Sequence, residues 1–599
     1  MRLTSGQILA EYLVKAGVPY VVGIPGHGIW ALLDAFADYR HRIEVIQVMH
    51  EQSAVHLADG YYRASGRPLM AFASIGPGPS NMVVGMATAF VDSTAVLLVT
   101  GGPHTYLKGH SVLQELDRNQ WGDFPRVMEG VAKRHWEVTR VEQLPSVLHR
   151  AFNAMLSGRP GPVHVEIAQD VQADAADVEV PDPATRVPQG RPRPDPALTE
   201  RAARLLVEAE RPVIVAGGGA ITAEASPEVV ALAEHLGAPV VTTWMGKGVI
   251  PEDHDLCGWS VGSTASTSGN ALARSADVLL SIGCRFTDWS ACSYRKGEAF
   301  SIPPTKLIQV DVDPTEIGKN YPAEIALVAD AKAALGDLLQ AVRDATPVRS
   351  YREGAYFGEV QRLKREWLRL QGELRDSDAV PMTQGRVVKE LRAVLDRGAI
   401  VTSGAGVVQA VVRQDFPVYE PRTHITSGGY STMGFSLPAA IGAKLARPDR
   451  QVAAICGDGD FLQTMQEMAV AAMLDLPVLT VVLNNCGWIS IKDGQLANFG
   501  RSIAVDFLRR DGSPYTPDYA EAARSFGLYA ERVRTPEEVG PAVRRALATG
   551  GPALIEALVA REGPTSGTAK TGWWDVPIPD YHVERRRAYL VERAEEQMG

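Results

Sequence analysis

Three doubly wound α/β domains, each built on a parallel sheet, followed by a C-terminal tail, are expected for this chain on two observations. Short β-branched runs alternate with helical patterns about 12–18 residues long, and the rhythm recurs in three blocks set apart by segments that break it. The runs are also near-continuously apolar, as strands covered on both faces of a parallel sheet must be. In the first block, residues 1–180, the strand signals are YVVGI at 20–24, IEVIQVM at 43–49, LMAFASI at 69–75, AVLLVT at 95–100 and VHVEI at 163–167. The proline-rich, charged stretch at 180–200 reads as a linker, because proline removes a backbone donor and fixes φ, which neither a helix interior nor a central strand tolerates. The middle block, 199–345, carries PVIVAGGG at 212–219, PVVTTW at 239–244, DVLLSIG at 277–283 and KLIQVDVD at 306–313. A charged segment without strand signals, 349–378, separates it from the third block, 380–560, with AIVTSG at 399–404, QVAAICGDGD at 451–460 and PVLTVVLNN at 477–485. The last segment, 561–599, places Trp573 and Trp574 in an extended Pro/Gly stretch ahead of a charged helix. It reads either as a tail packed on the body or as a lid that excludes water from a cleft.

Composition narrows the setting. The 599 residues hold 60 Lys+Arg against 70 Asp+Glu, a net charge of −10, so nothing in the charge points to nucleic acid or an anionic membrane as partner. No window approaches the roughly 18 uninterrupted apolar residues of a spanning helix. Glu11 and Lys15 interrupt what would be the apolar stretch of a signal peptide. The five cysteines form no CxxC pair and no zinc-type spacing, and a reduced, cytoplasmic location is expected.

The strongest local signal is a strand that releases Gly457, Asp458 and Gly459 into a helix, followed after 24 intervening residues by Asn484 and Asn485 at the end of the next strand. Backbone N–H groups at such a turn suit a phosphate, and an aspartate with an amide oxygen suits Mg²⁺. The Walker pattern is absent, which disfavours a P-loop NTPase. Three further phrases accompany this one: His50-Glu51-Gln52, Gly76-Pro77-Gly78-Pro79-Ser80-Asn81, and SGGYSTMGFSLPAAIGA at 427–443. Together they resemble the thiamine diphosphate enzymes, and 399–485 resembles acetolactate synthase and its relatives.

The resemblance implies a pyrimidine-binding first domain, a central domain, a diphosphate-binding third domain, and thiamine diphosphate with Mg²⁺ as cofactors. It implies that Asp458, Asn485 and the carbonyl of Gly487 bind the metal, and that Gly457, Asp458, Gly459, Asp460 and Asn485 surround the diphosphate. It further implies that Glu51 hydrogen-bonds N1′ of the aminopyrimidine and thereby promotes loss of the C2 proton, and that Met433 supports the folded cofactor. Relatives build each site between two subunits, so a homodimer or homotetramer is implied. His27 and Gln114 are the expected catalytic side chains near the substrate, and Trp488 and Ile491 the expected pocket walls.

This chain departs from the acetolactate synthase pattern in several places. Asp460 stands where relatives carry a small hydroxyl residue, and a second carboxylate there repels phosphate unless it turns away or pairs. Ile24-Pro25-Gly26-His27-Gly28 aligns with a loop that usually carries Tyr before Pro-Gly-Gly, with Ile24 and His27 as the departures, and Gly494 occupies the position of a tryptophan. The loop Gly26-His27-Gly28, the segment QDVQ at 169–172 and GWWDVP resemble cyclic 1,2-dione hydrolases instead. Acetolactate-synthase-like joining of a 2-oxo acid to a second carbonyl is the leading reading. Hydrolysis of a cyclic 1,2-dione, cleavage of a 2-hydroxyacyl-CoA, and a noncatalytic subunit that keeps the fold stay open beside it. The presence of Glu51, Asp458 and Asn485 speaks against the last. In the middle domain Gly217-Gly218-Gly219 is not a GxGxxG fingerprint, since Thr222 stands where a glycine is needed. A nucleotide-dependent oxidoreductase is thereby disfavoured, while FAD, ADP or no ligand remain open for that domain.

Overall fold

A computed structural model of the chain describes residues 1–116, 124–185, 187–348, 350–561 and 571–594. Residues 562–570 and 595–599 of the expected tail lie outside the described residues. Three six-stranded sheets, parallel throughout, carry the architecture. The first comprises β1 (Tyr20–Gly23), β2 (Glu44–Gln47), β3 (Met70–Ala73), β4 (Leu97–Gly102), β5 (Arg134–Val138) and β6 (Val163–Ala168), in the order β2-β1-β3-β4-β6-β5. The second comprises β7 (Pro212–Ala216), β8 (Val240–Thr242), β9 (Cys257–Ser260), β10 (Val278–Ile282), β11 (Lys306–Asp311) and β12 (Ile325–Val328), in the order β9-β8-β7-β10-β11-β12. The third comprises β13 (Ile400–Ser403), β14 (His424–Thr426), β15 (Val452–Gly457), β16 (Val478–Asn484), β17 (Tyr529–Val533) and β18 (Ala553–Leu558). Its order, β14-β13-β15-β16-β18-β17, repeats that of the first sheet, whereas the second has the strand order of dinucleotide-binding folds. Six of these strands, β5, β9, β12, β14, β17 and β18, were not among the expected ones.

Two helices join the first and third domains. Helix α1 (Glu51–Ser65) is capped by His50, whose Nδ1 accepts the Gln52 N–H, and ends at Gly66 with φ +75°. Helix α2 (Pro77–Val91) follows β3. Helix α3 (Ser436–Ala446) lies against α1 at backbone contact: a Cβ on Gly60 would sit 2.1 Å from the Ala439 carbonyl oxygen, and one on Gly442 would sit 1.9 Å from that of Leu57. The hydrophobic core accordingly runs unbroken from Val21 and Leu57 in the first domain to Phe435 and Ala439 in the third. A methyl group at Gly442 must push the helices apart, and Gly442→Ala is expected to cost about 1–3 kcal/mol, the usual range for overpacking, read as a drop in the thermal midpoint.

At the junction of all three domains Arg63 donates from Nε to Asp59 at 2.5 Å, from Nη2 to Asp92 at 3.1 Å and from Nη1 to the Thr426 carbonyl, with Met245 Sδ at 3.6 Å. The charged segment before the third domain forms a long helix, Ala355–Arg375, whose Trp367 and Val360 are buried. Among the described residues no helix is long and apolar enough to cross a membrane.

Candidate active site

In a parallel sheet the ligand crevice lies beyond the carboxyl ends of the strands, where the winding direction reverses. For the first sheet that point falls between β1 and β3. Glu51, half-buried, opens α1 just after β2, and its Oε2 accepts from Asn81 Nδ2 at 2.9 Å. Gly78, in the first turn of α2, leaves room for the carboxylate: a Cβ there would lie 3.3 Å from Glu51 Oε1. Gln114, exposed and with φ +69°, lays its backbone on Gly76, where a Cβ would come within 2.3 Å of its carbonyl oxygen. The β1 loop completes the group, with the Gly28 N–H on Ser74 Oγ at 3.0 Å.

The QDVQ segment holds these loops from below. Gln169 Nε2 donates to the His27 carbonyl at 2.9 Å, and Gln172 Nε2 to the Gly28 carbonyl at 2.7 Å. Asp170 accepts the Thr105 N–H at 3.0 Å and its hydroxyl at 2.5 Å, at the root of the loop leading to Gln114. QDVQ thus supports these loops, a role that residues more than sixty positions from their partners do not betray in sequence. Asn81 ends the Gly76–Asn81 motif, and its bond to Glu51, 30 positions away, is not visible in that motif.

The second cluster forms at the carboxyl edge of the third sheet. Helix α4 (Asp458–Leu462) begins where β15 ends, and Asp458 is 2% exposed. Its carboxylate accepts the N–H groups of Gly459 at 3.0 Å and Gly487 at 3.2 Å, while burial pushes its pKa up to about 6. A Cβ on Gly457 would meet nothing within 4 Å, so the turn is open on that side; one on Gly459 would collide with the Trp488 ring at 2.1 Å. The asparagine pair divides its work. Asn484 turns inward, donating to Glu556 Oε1 at 2.7 Å and Thr516 Oγ1 at 2.8 Å. Asn485 is buried, and its Oδ1 has no hydrogen-bond partner, which leaves a hard neutral oxygen near Asp458 for a cation.

Asp460, expected among the cofactor contacts, has both oxygens engaged elsewhere. Oδ1 accepts the Gly434 N–H at 2.6 Å and Oδ2 the Ser436 hydroxyl at 2.5 Å. Burial raises its pKa to about 6. This carboxylate therefore ties down the loop that presents Met433, and its pairing removes the repulsion that its position suggests. Met433 itself is half-buried, with Gln463 Nε2 at 3.7 Å from Sδ. The hydrogen bonds of Glu51 stay within the N-terminal half and those of Asp458 within the C-terminal half.

A cavity of about 1150 Å³ opens between the domains. It lies at the reversal point of the second sheet, where Gly217 after β7 faces Gly283 after β10, and it extends to Ser490, Ile491 and Gly494 on helix α5 (Ile489–Phe499). Arg159, Arg285, Trp244 and Trp289 line it. The tail supplies a further wall. Ser263 Oγ donates to the Trp573 carbonyl at 2.6 Å, Trp574 packs edge-on with Trp289 at 5.1 Å between ring centres, and Arg585 donates to the carbonyls of Ala497 and Asn498 at the end of α5. The described part of the tail thus packs on the body at both ends and contributes Trp574 to the cavity.

Fold and clusters together define the class, a thiamine diphosphate enzyme. Three domain models of the thiamine pyrophosphate enzymes match in series: the N-terminal TPP binding domain at residues 3–121, the central domain at 199–338 and the C-terminal TPP binding domain at 404–557. A probable acetolactate synthase large subunit of Methanocaldococcus jannaschii is 36% identical over 564 residues, covering 92% of this chain and 91% of that protein. The acetolactate synthase large subunit of Corynebacterium glutamicum is 33% identical over 564 residues, with 94% and 87% covered. Isozyme 3 of Escherichia coli is 30% identical over 560 residues, with 91% and 92% covered. The chain belongs to the acetolactate-synthase-like thiamine diphosphate enzymes, which form C–C bonds.

Proposed function

We propose that the chain, with thiamine diphosphate and Mg²⁺, joins the acyl unit of a 2-oxo acid to a second carbonyl at sites shared between two copies. The observation that carries this reading is the Asp458–Asn485 pair: a buried carboxylate and an orphaned amide oxygen at a turn that is open beside Gly457. Asp458, Asn485 Oδ1 and the Gly487 carbonyl would hold the ion, a set of hard oxygens of the kind that Mg²⁺ takes. When bound, the cofactor supplies a nucleophilic carbon and an electron sink for C–C bond chemistry beside a carbonyl. The protein's part is binding, orientation and proton handling. Glu51, steadied by Asn81, holds a proton at the ring nitrogen N1′, Met433 supports the cofactor, and His27 and Gln114 orient the substrate.

That Glu51 and Asp458 keep their bonds in separate halves of the chain supports a homodimer or homotetramer in which one copy's residues 1–180 meet another's 380–560. The central domain, 199–345, with its dinucleotide-type strand order and arginine- and tryptophan-lined cavity, suits FAD. Purified protein is expected to carry flavin absorbance that Trp289→Ala weakens; colourless protein that takes up no added FAD contradicts this assignment. Five unpaired cysteines support a reducing, cytoplasmic setting. The reaction is tested by offering pyruvate and cyclohexane-1,2-dione in parallel and identifying products by mass spectrometry. Acetolactate from pyruvate is expected, and ring opening with pyruvate untouched would replace the carboligase reading by a hydrolase one.

A further inference from the structure

We infer that Glu467 is a positioning residue that sets Glu51 from across the domain boundary. The inference rests on the proposed role of Glu51. Glu467 ends the short turn Met465–Glu467, which follows α4 in the same βα unit that carries Asp458, and it is 1% exposed. Its Oε2 accepts the Met49 N–H at 3.1 Å. The His50 N–H and the Ser53 hydroxyl also face the carboxylate, while Oε1 has no partner in hydrogen-bond geometry.

A buried carboxylate with unused acceptor capacity is costly, and here burial raises its pKa to about 7. The helix that follows it buries apolar side chains such as Met468 and Ala471, which give no packing reason for an acid at this point. What the acid reaches is the stretch between β2 and α1, the two residues immediately before Glu51. The middle of α1 is already fixed to α3 through Gly60 and Gly442. Glu467 fixes its first turn, and with it the direction in which the Glu51 carboxylate leaves the helix. The same βα unit would then hold the metal at one end and aim a catalytic acid of the N-terminal domain at the other.

The test uses the full-length protein loaded with thiamine diphosphate and Mg²⁺, and follows deuterium exchange at C2 of the bound cofactor, which needs no substrate. Glu467→Ala is expected to slow exchange about 100-fold, the size of effect that a misplacement of about 1 Å produces, with cofactor affinity and melting midpoint little changed. Glu467→Gln, whose amide oxygen still accepts the Met49 N–H, is expected to restore most of the rate. Exchange at the parent rate in Glu467→Ala, or equal loss in Glu467→Ala and Glu467→Gln, overturns the inference. If the alanine variant does not fold, Glu467→Asp, which withdraws the acceptor by one methylene, carries the same expectation of slowed exchange, and a parental rate refutes it. Glu51→Gln is run alongside: if it exchanges normally, the reading of Glu51 fails, whereas a stalled Glu51→Gln with an unaffected Glu467→Ala removes only the role of Glu467.

Discussion

Glu51→Gln lowers turnover by about 10³-fold, within the range of about 10²–10⁴ that a positioned acid–base group contributes, and leaves the fold intact. The side chain is half-buried, and an amide oxygen still accepts the Asn81 Nδ2 donor that now lies 2.9 Å away, so neither packing nor the local hydrogen bond is lost. What is lost is the ability to share a proton with the aminopyrimidine. Steady-state turnover beside a melting curve checks this. A variant within tenfold of the parent removes Glu51 from the mechanism.

Arg63→Ala destabilises the chain by about 3–5 kcal/mol, the usual consequence of leaving buried charge without its partner. Asp59 and Asp92 both bond to this guanidinium, and the side chains of both are fully buried. The loss depends on pH in a definite direction. Burial pushes the Asp92 carboxyl up to about 6, against the pull of Arg63. A carboxyl whose folded pKa lies above its unfolded value gives its full contribution below the unfolded value and loses it as pH rises through the folded one. The contribution of Asp92 therefore declines from about pH 4 to about pH 6, and without Arg63 the carboxylates formed there have no cation. The gap in melting midpoint between parent and variant is expected to be wider at pH 8 than at pH 5. Equal gaps at the two pH values would mean that the junction is held by packing alone.

The central strands were legible because burial on both faces leaves apolar runs such as VVGI and VLTVVLN. Five of the six strands that escaped, β5, β9, β12, β14 and β17, stand at sheet edges, where one side lacks a neighbour and residues such as Arg134, His424 and Glu531 are tolerated. The sixth, β18, is internal but carries Glu556 in its middle. That acid is fully buried only because Asn484, Arg532 and the Ala520 N–H meet it, partners that no local window shows. The site divides in the same way. Glu51, Asp458 and Asn485 follow strand ends in short motifs, whereas Asn81, Gln169, Gln172 and Glu467 act on residues 30 to 418 positions away. The pairing of Asp460 with Gly434 and Ser436 was equally hidden, since the reason for a second acid in the diphosphate motif lies in another loop.

The most direct test of the account is calorimetric titration of thiamine diphosphate into the purified protein with and without Mg²⁺, on the parent and on Asp458→Ala. The account predicts one cofactor per chain, bound only with the metal and lost in the variant. Metal-independent binding, or an Asp458→Ala variant that binds as tightly as the parent, would contradict it.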